Sequence, residues 1–158
     1  MNYLSKPIGV TTRYRRGPIL VVEDNDDHWF IIQWALQRTL PGVDVVRTSG
    51  ADETLTYLNT CLANGRKLPE LVVQDLYLPQ REDGWGLLEA IKQHHTLRRL
   101  PVILLSHSAD PEDIEQSYYL RSASYMVKPS SYGQWLNYFE DFRRYWWESV
   151  TLPQQVSY

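Results

Sequence analysis

At 158 residues the chain is the size of one domain, long enough to bury roughly two-thirds of its unfolded surface and too short for a second. Its net charge is −3 and its basic residues are spread along the chain, which gives no electrostatic footprint for nucleic acid or an acidic membrane. The single Cys61 excludes an internal disulfide. The absence of a secretory signal and of an apolar stretch of about 18 residues leads us to expect a soluble, cytoplasmic protein.

Residues 1–17 hold Arg13, Arg15, Arg16, Gly9 and Gly17 without a sustained period and read as a loosely ordered arm. From Pro18 onward the pattern alternates. Short β-branched or leucine-rich runs at 19–23, 43–47, 71–75, 102–106 and 124–128 predict strands; helical spacing predicts helices at 26–40, 50–63, 84–96, 111–121 and 131–149. Five strands alternating with five helices predict a doubly wound α/β domain over 18–149, with a parallel sheet covered on both faces and a tail at 150–158. Asn25 or Asp26 is expected to cap the first helix, and Asp110 before Pro111 marks the start of the fourth. Cys61 falls on the apolar side of its helix and reads as a small core residue. In the last helix Trp135, Phe139, Phe142 and Trp146 form one stripe, which predicts core packing.

The chemistry sits where the strands end. Asp75 follows Leu71-Val72-Val73-Gln74, Glu23 and Asp24 follow Ile19-Leu20-Val21-Val22, Ser106 closes Val102-Ile103-Leu104-Leu105, and Lys128 closes Tyr125-Met126-Val127. In an open parallel sheet, ligands collect at the carboxyl ends of the strands. Three converging carboxylates repel one another unless a hard dication such as Mg2+ neutralises them. The hydroxyl and the ammonium then suit an anion.

Val21-Val22-Glu23-Asp24-Asn25, Asp75-Leu76-Tyr77-Leu78-Pro79 with Asp83-Gly84, Leu104-Leu105-Ser106 and Tyr125-Met126-Val127-Lys128-Pro129 stand in the order of the motifs of the response-regulator receiver domain. Over about residues 18–149 the chain resembles that family. The Asp75-Leu76-Tyr77-Leu78-Pro79 loop, the aromatic last helix and Thr151-Leu152-Pro153 are similar to receivers found beside bacterial phytochrome-type kinases. The resemblance implies the flavodoxin-like receiver fold with strand order 2-1-3-4-5. It implies a two-component phosphorelay protein, not an enzyme beyond weak self-phosphorylation and autodephosphorylation. Asp75 would be the phosphoacceptor, serving a sensor histidine kinase for which a phytochrome-like one is a candidate. Asp24 and Asp75 would bind Mg2+ directly with the Tyr77 backbone carbonyl, and Glu23 through water. Ser106 and Lys128 would contact the phosphoryl group, Tyr125 would be the aromatic switch, and Lys128-Pro129 would be the cis peptide.

The sequence also departs from that pattern. Asp83-Gly84 comes one residue late, which predicts an enlarged loop at 80–83, and His107 follows Ser106 where a very small residue is usual. His28, His94, His95 and His107 form no evident ligand set. With no effector domain evident, output passes to a downstream protein or phosphotransfer partner. A receiver-shaped module that works without phosphorylation is the alternative, disfavoured by the presence of Glu23, Asp24, Asp75, Ser106 and Lys128. A phosphohydrolase with an aspartyl nucleophile fits less well, because Asp-x-Asp is missing after the first strand. A helix over 131–149 would be about 28 Å long and would project beyond the sheet. We therefore expect Tyr138, Tyr145 and Trp147 to be exposed and to contribute to a homodimer.

Overall fold

A computed structural model describes residues 17–150. The element order is β1 (Ile19–Val22), α1 (Asp26–Thr39), β2 (Val45–Thr48), α2 (Ala51–Ala63), β3 (Leu71–Gln74), α3 (Arg81–Gln93), β4 (Val102–Ser106), α4 (Pro111–Tyr119), β5 (Ser124–Val127) and α5 (Tyr132–Phe142). A 3-10 turn lies at Leu97–Arg99, and a π-helical segment, Arg143–Ser149, continues α5. All strand pairs are parallel, in the order β2-β1-β3-β4-β5. This is the doubly wound sheet that the alternating pattern predicts. The arm at 1–16 and the tail at 151–158 lie outside the described residues.

The sheet separates two cores. Ile19, Val21, Val73, Ile103 and Leu105 point toward α1 and α5, where Ile32, Leu36, Trp135, Phe139 and Phe142 meet them. Leu20, Val22, Val72, Val102 and Leu104 point the other way, onto Leu58 of α2 and Leu87, Leu88 and Ile91 of α3. Successive strand residues face opposite sides, so a strand covered on both faces must be apolar throughout. In β1 and β3 all four residues are buried, and in β4 all five, the polar exceptions being Gln74 and Ser106 at the carboxyl ends of β3 and β4.

Caps fix the helix starts. Asn25 Oδ1 accepts the His28 N–H at 3.0 Å, while Asp26 turns to Arg47 at 2.7 Å. Asp110 caps α4 ahead of Pro111, as expected. At the start of α2, buried Thr54 shares a 2.6 Å hydrogen bond with Thr48 and donates to the Gly50 carbonyl at 2.7 Å. Thr54→Val leaves the Thr48 hydroxyl without its partner and is expected to lower stability by about 1–3 kcal/mol in urea denaturation.

Three expectations are corrected. The loop at 80–83 is not enlarged: Gln80 is the N-cap of α3 and Arg81–Asp83 form its first turn, with the Gln80 N–H donating to Asp83 Oδ2 at 3.1 Å. Among the described residues the cis peptide is Leu78–Pro79, and Lys128–Pro129 is trans. The two X–Pro isomers differ by only about 0.5–1 kcal/mol, so the surrounding loop, not the dipeptide, decides between them. The last helix does not project as one straight α-helix. It changes to wider π winding at Arg143; Trp146 packs half-buried against the core as expected, and Trp147, expected outside, packs against it too. Tyr138 is half-buried too, edge-on to Phe139 at 4.8 Å between ring centroids, and burial pushes its phenol well above the ordinary range. Of the three aromatics expected at the surface, Tyr145 is the exposed one.

Candidate functional site

Backbone hydrogen bonds carry the ladder one residue past the strands and so set the site. Glu23 N–H bonds the Thr48 carbonyl, Asp75 N–H the Val22 carbonyl at 2.9 Å, and Lys128 N–H the Ser106 carbonyl at 2.7 Å. Three separated segments thus end at one edge of the sheet. Gln74, fully buried just before Asp75, donates from Nε2 to the Gly84 carbonyl at 2.8 Å and ties the start of α3 to this edge.

Lys128 is the centre of the charge arrangement. Its Nζ donates to Glu23 Oε2 at 2.7 Å, to Asp75 Oδ2 at 3.0 Å and to His28 Nδ1 at 3.0 Å. Glu23 is buried, and burial pushes its carboxyl up to about 7 despite the pull of Lys128, with Asp75 adding repulsion. Among the described residues Asp75 Oδ1 receives only the Tyr77 N–H, at 3.4 Å, while Tyr77 itself is 41% exposed.

Ser106 is fully buried, and its Oγ accepts the Ser108 N–H at 3.2 Å. Tyr125 faces inward, its hydroxyl donating to the Ser108 carbonyl at 2.7 Å. Burial raises its phenol pKa, against hydrogen bonding with Ser106 and Ser108. The same loop is tied to α4 and α3. Ser108 Oγ donates to Asp113 Oδ2 at 2.5 Å, and Arg81 Nε lies 2.7 Å from Asp113 Oδ1.

The residues expected from the strand ends are therefore close neighbours, with two adjustments. Among the described residues the tight donor group is Glu23, His28 and Asp75, one atom of each within 4.8 Å of the others. Asp24 stands outside that group, exposed at the rim. Sequence reasoning missed His28. Its backbone position was legible, one turn into a helix that begins at the site, but its neighbour Lys128 lies 100 residues away. The donor group fits a dication: two carboxylates and an imidazole converge, and an ammonium already lies among them.

A family model for the response regulator receiver domain matches residues 19–140. The chain belongs to the response-regulator receiver family. The receiver is 35% identical over 130 residues to a probable methanogenesis regulatory protein, FilR2, of Methanothrix harundinacea, covering 81% of this chain and 82% of that protein. It is 30% identical over 146 residues to the response regulator Rcp1 of Synechocystis, with 85% and 92% covered, and a crystal form of Rcp1 holds Mn2+. The phosphorylated cyanobacterial phytochrome response regulator RcpA superposes with a TM-score of 0.79 at 33% identity, over 88% of this receiver and 99% of that chain. Members of the family are signalling proteins of two-component systems, and their acidic site takes a divalent metal. No described helix is long and apolar enough to cross a membrane.

Proposed function

We propose that this receiver takes a phosphoryl group onto Asp75 from the phosphohistidine of a sensor kinase, with Mg2+ as the working metal. The observation that carries this reading is the position of Asp75: the residue is 9% exposed, and Lys128 holds Oδ2 while, among the described residues, Oδ1 has only one long contact. An Asp75 oxygen attacks phosphorus, the N–P bond of the phosphohistidine breaks, and the imidazole leaves with the electron pair. The positive charge of Lys128 favours charge building on the phosphoryl oxygens, and Ser106 can donate one hydrogen bond to them. Asp24, Glu23, Asp75 and the Tyr77 carbonyl would hold the metal, which when bound neutralises the acids and the incoming phosphate.

Similarity to Rcp1 and RcpA favours a phytochrome-type kinase as donor, and a cytoplasmic location follows from such a donor. Transfer of label from a purified kinase of that type, with and without Mg2+, tests the reading: Mg2+-dependent labelling of this chain is expected, and no labelling of a folded protein by any kinase tried contradicts it. Because Mg2+ binds the native state only, it should also raise the melting temperature with occupancy. Asp24→Ala is expected to reduce that response. An undiminished response would make Asp24 a bystander at the rim.

Output is a protein contact. Tyr118, Tyr119, Met126, Val127 and Tyr145 are exposed on α4, β5 and the segment after α5, and aromatic anchors of this kind suit a symmetric homodimer tightened by phosphorylation. Since Tyr138 and Trp147 pack against the domain itself, Tyr118 and Tyr119 take their place in the proposed contact. Sedimentation at micromolar concentration, with a phosphate mimic, should show a dimer that Tyr118→Ala/Tyr119→Ala weakens. A monomer under every condition rules the dimer out.

A further inference from the structure

The imidazoles of His28 and His107 have no part in the phosphotransfer reading, yet their protons are fixed by the site. Lys128 Nζ lies 3.0 Å from His28 Nδ1. An ammonium has no lone pair and can only donate, so Nδ1 is the bare, accepting nitrogen and the ring proton sits on Nε2. That proton faces His107 Nε2, 3.2 Å away, with the two rings edge-on at 4.8 Å. His107 must then accept at Nε2 and carry its own proton on Nδ1. The His28 Nδ1 lone pair is thus turned into the acidic site, 3.7 Å from Glu23 Oε1.

That is the arrangement of a ligating histidine, with one nitrogen on the metal and the other N–H held by an acceptor that fixes the ring. The Glu23, His28 and Asp75 donors lie within 4.8 Å of one another, each bonded to the Lys128 ammonium at 2.7–3.0 Å, so a metal ion takes them in exchange for that ammonium. An oxygen-only set suits Mg2+, whereas adding an imidazole nitrogen favours first-row metals such as Zn2+. We propose that His28, oriented by His107, is a nitrogen ligand of the receiver's metal site and makes that site prefer Zn2+ to Mg2+. The proposal rests on the reading of Glu23 and Asp75 as metal ligands. Zinc held this way engages the same carboxylates that Mg2+ needs, so zinc supply would regulate phosphorylation.

The test is a titration of the full chain with Zn2+ against a chromophoric chelator and with Mg2+ by calorimetry, on wild type, His28→Ala, His107→Ala and Asp75→Asn. Thermal melts confirm that each variant folds; the His28 side chain is 27% exposed, so its truncation empties no core. Loss of the His28 ligand is expected to weaken Zn2+ roughly 100-fold and loss of its His107 partner about tenfold, the scale seen for outer-shell partners. Mg2+ affinity should hold in both His variants, and Asp75→Asn should weaken both metals. Equal Zn2+ affinity in wild type and His28→Ala overturns the proposal while leaving the receiver's Mg2+ site standing. Zinc binding that needs both histidines but ignores Asp75→Asn also overturns it, since the ion would then sit between the two Nε2 atoms. Absence of Mg2+ binding from the wild type would remove the underlying reading and the proposal with it.

Discussion

Lys128→Met is expected to destabilise the metal-free protein by about 3–5 kcal/mol, the cost of removing one partner from a buried ion pair. The basis is geometric. Lys128 Nζ is fully buried and bonds Glu23 and Asp75 at 2.7 and 3.0 Å, so its loss leaves two adjacent carboxylates without a counter-charge. Methionine keeps most of the stem, which separates the charge effect from a cavity. Because the missing charge is what matters, saturating Mg2+ should restore a larger share of stability to Lys128→Met than it adds to wild type. Chemical denaturation with and without Mg2+ reads both numbers. A loss below about 1 kcal/mol, the scale of an exposed pair, would mean that Lys128 is solvated in solution and does not organise the acids.

The second large effect comes from Gly84 in the opening turns of α3. A Cβ built there would lie 1.8 Å from the Leu76 carbonyl oxygen and 2.7 Å from its carbon, both backbone atoms of the loop that follows Asp75. Neither can swing away. Gly84→Ala must displace the helix or the loop, and we expect a loss of about 4 kcal/mol or more, at the exceptional end for single substitutions. Gly86 provides the control on the same helix. Nothing lies within 4 Å of its added Cβ, so Gly86→Ala should stabilise by roughly 0.5–1 kcal/mol through helix propensity alone. Equal effects of the two substitutions in urea denaturation would refute the close approach.

That contrast also shows where the sequence was readable and where it was not. Buried strands announce themselves, since Ile19–Val22, Leu71–Val73 and Val102–Leu105 must be apolar on both faces, and the residue that ends each run lands at the site. Strand ends therefore exposed Glu23, Asp75, Ser106 and Lys128 before any coordinates. Asp83-Gly84 misled, because its late place after Asp75 suggested an extra loop residue, whereas here the glycine makes room for a carbonyl inside a helix. His28 and His107 were invisible as a pair because they are 79 residues apart, and only the three-dimensional arrangement brings them to 3.2 Å. The last helix failed differently. Its stripe of Trp135, Phe139, Phe142 and Trp146 packs inward as predicted, but periodicity cannot signal the change to π winding at Arg143, after which Trp147 also lies against the domain.

Whether Asp75 carries the phosphoryl group can be read by borohydride reduction. An acyl phosphate is reduced to an alcohol, so a phosphorylated aspartate becomes homoserine at its own position while free carboxylates survive. After incubation with a small phosphodonor and Mg2+, reduction and peptide mass analysis should find homoserine at position 75, and Asp75→Asn should yield none. Homoserine at position 24, or an unmodified chain from a folded and metal-loaded protein, would rule Asp75 out as the phosphoacceptor.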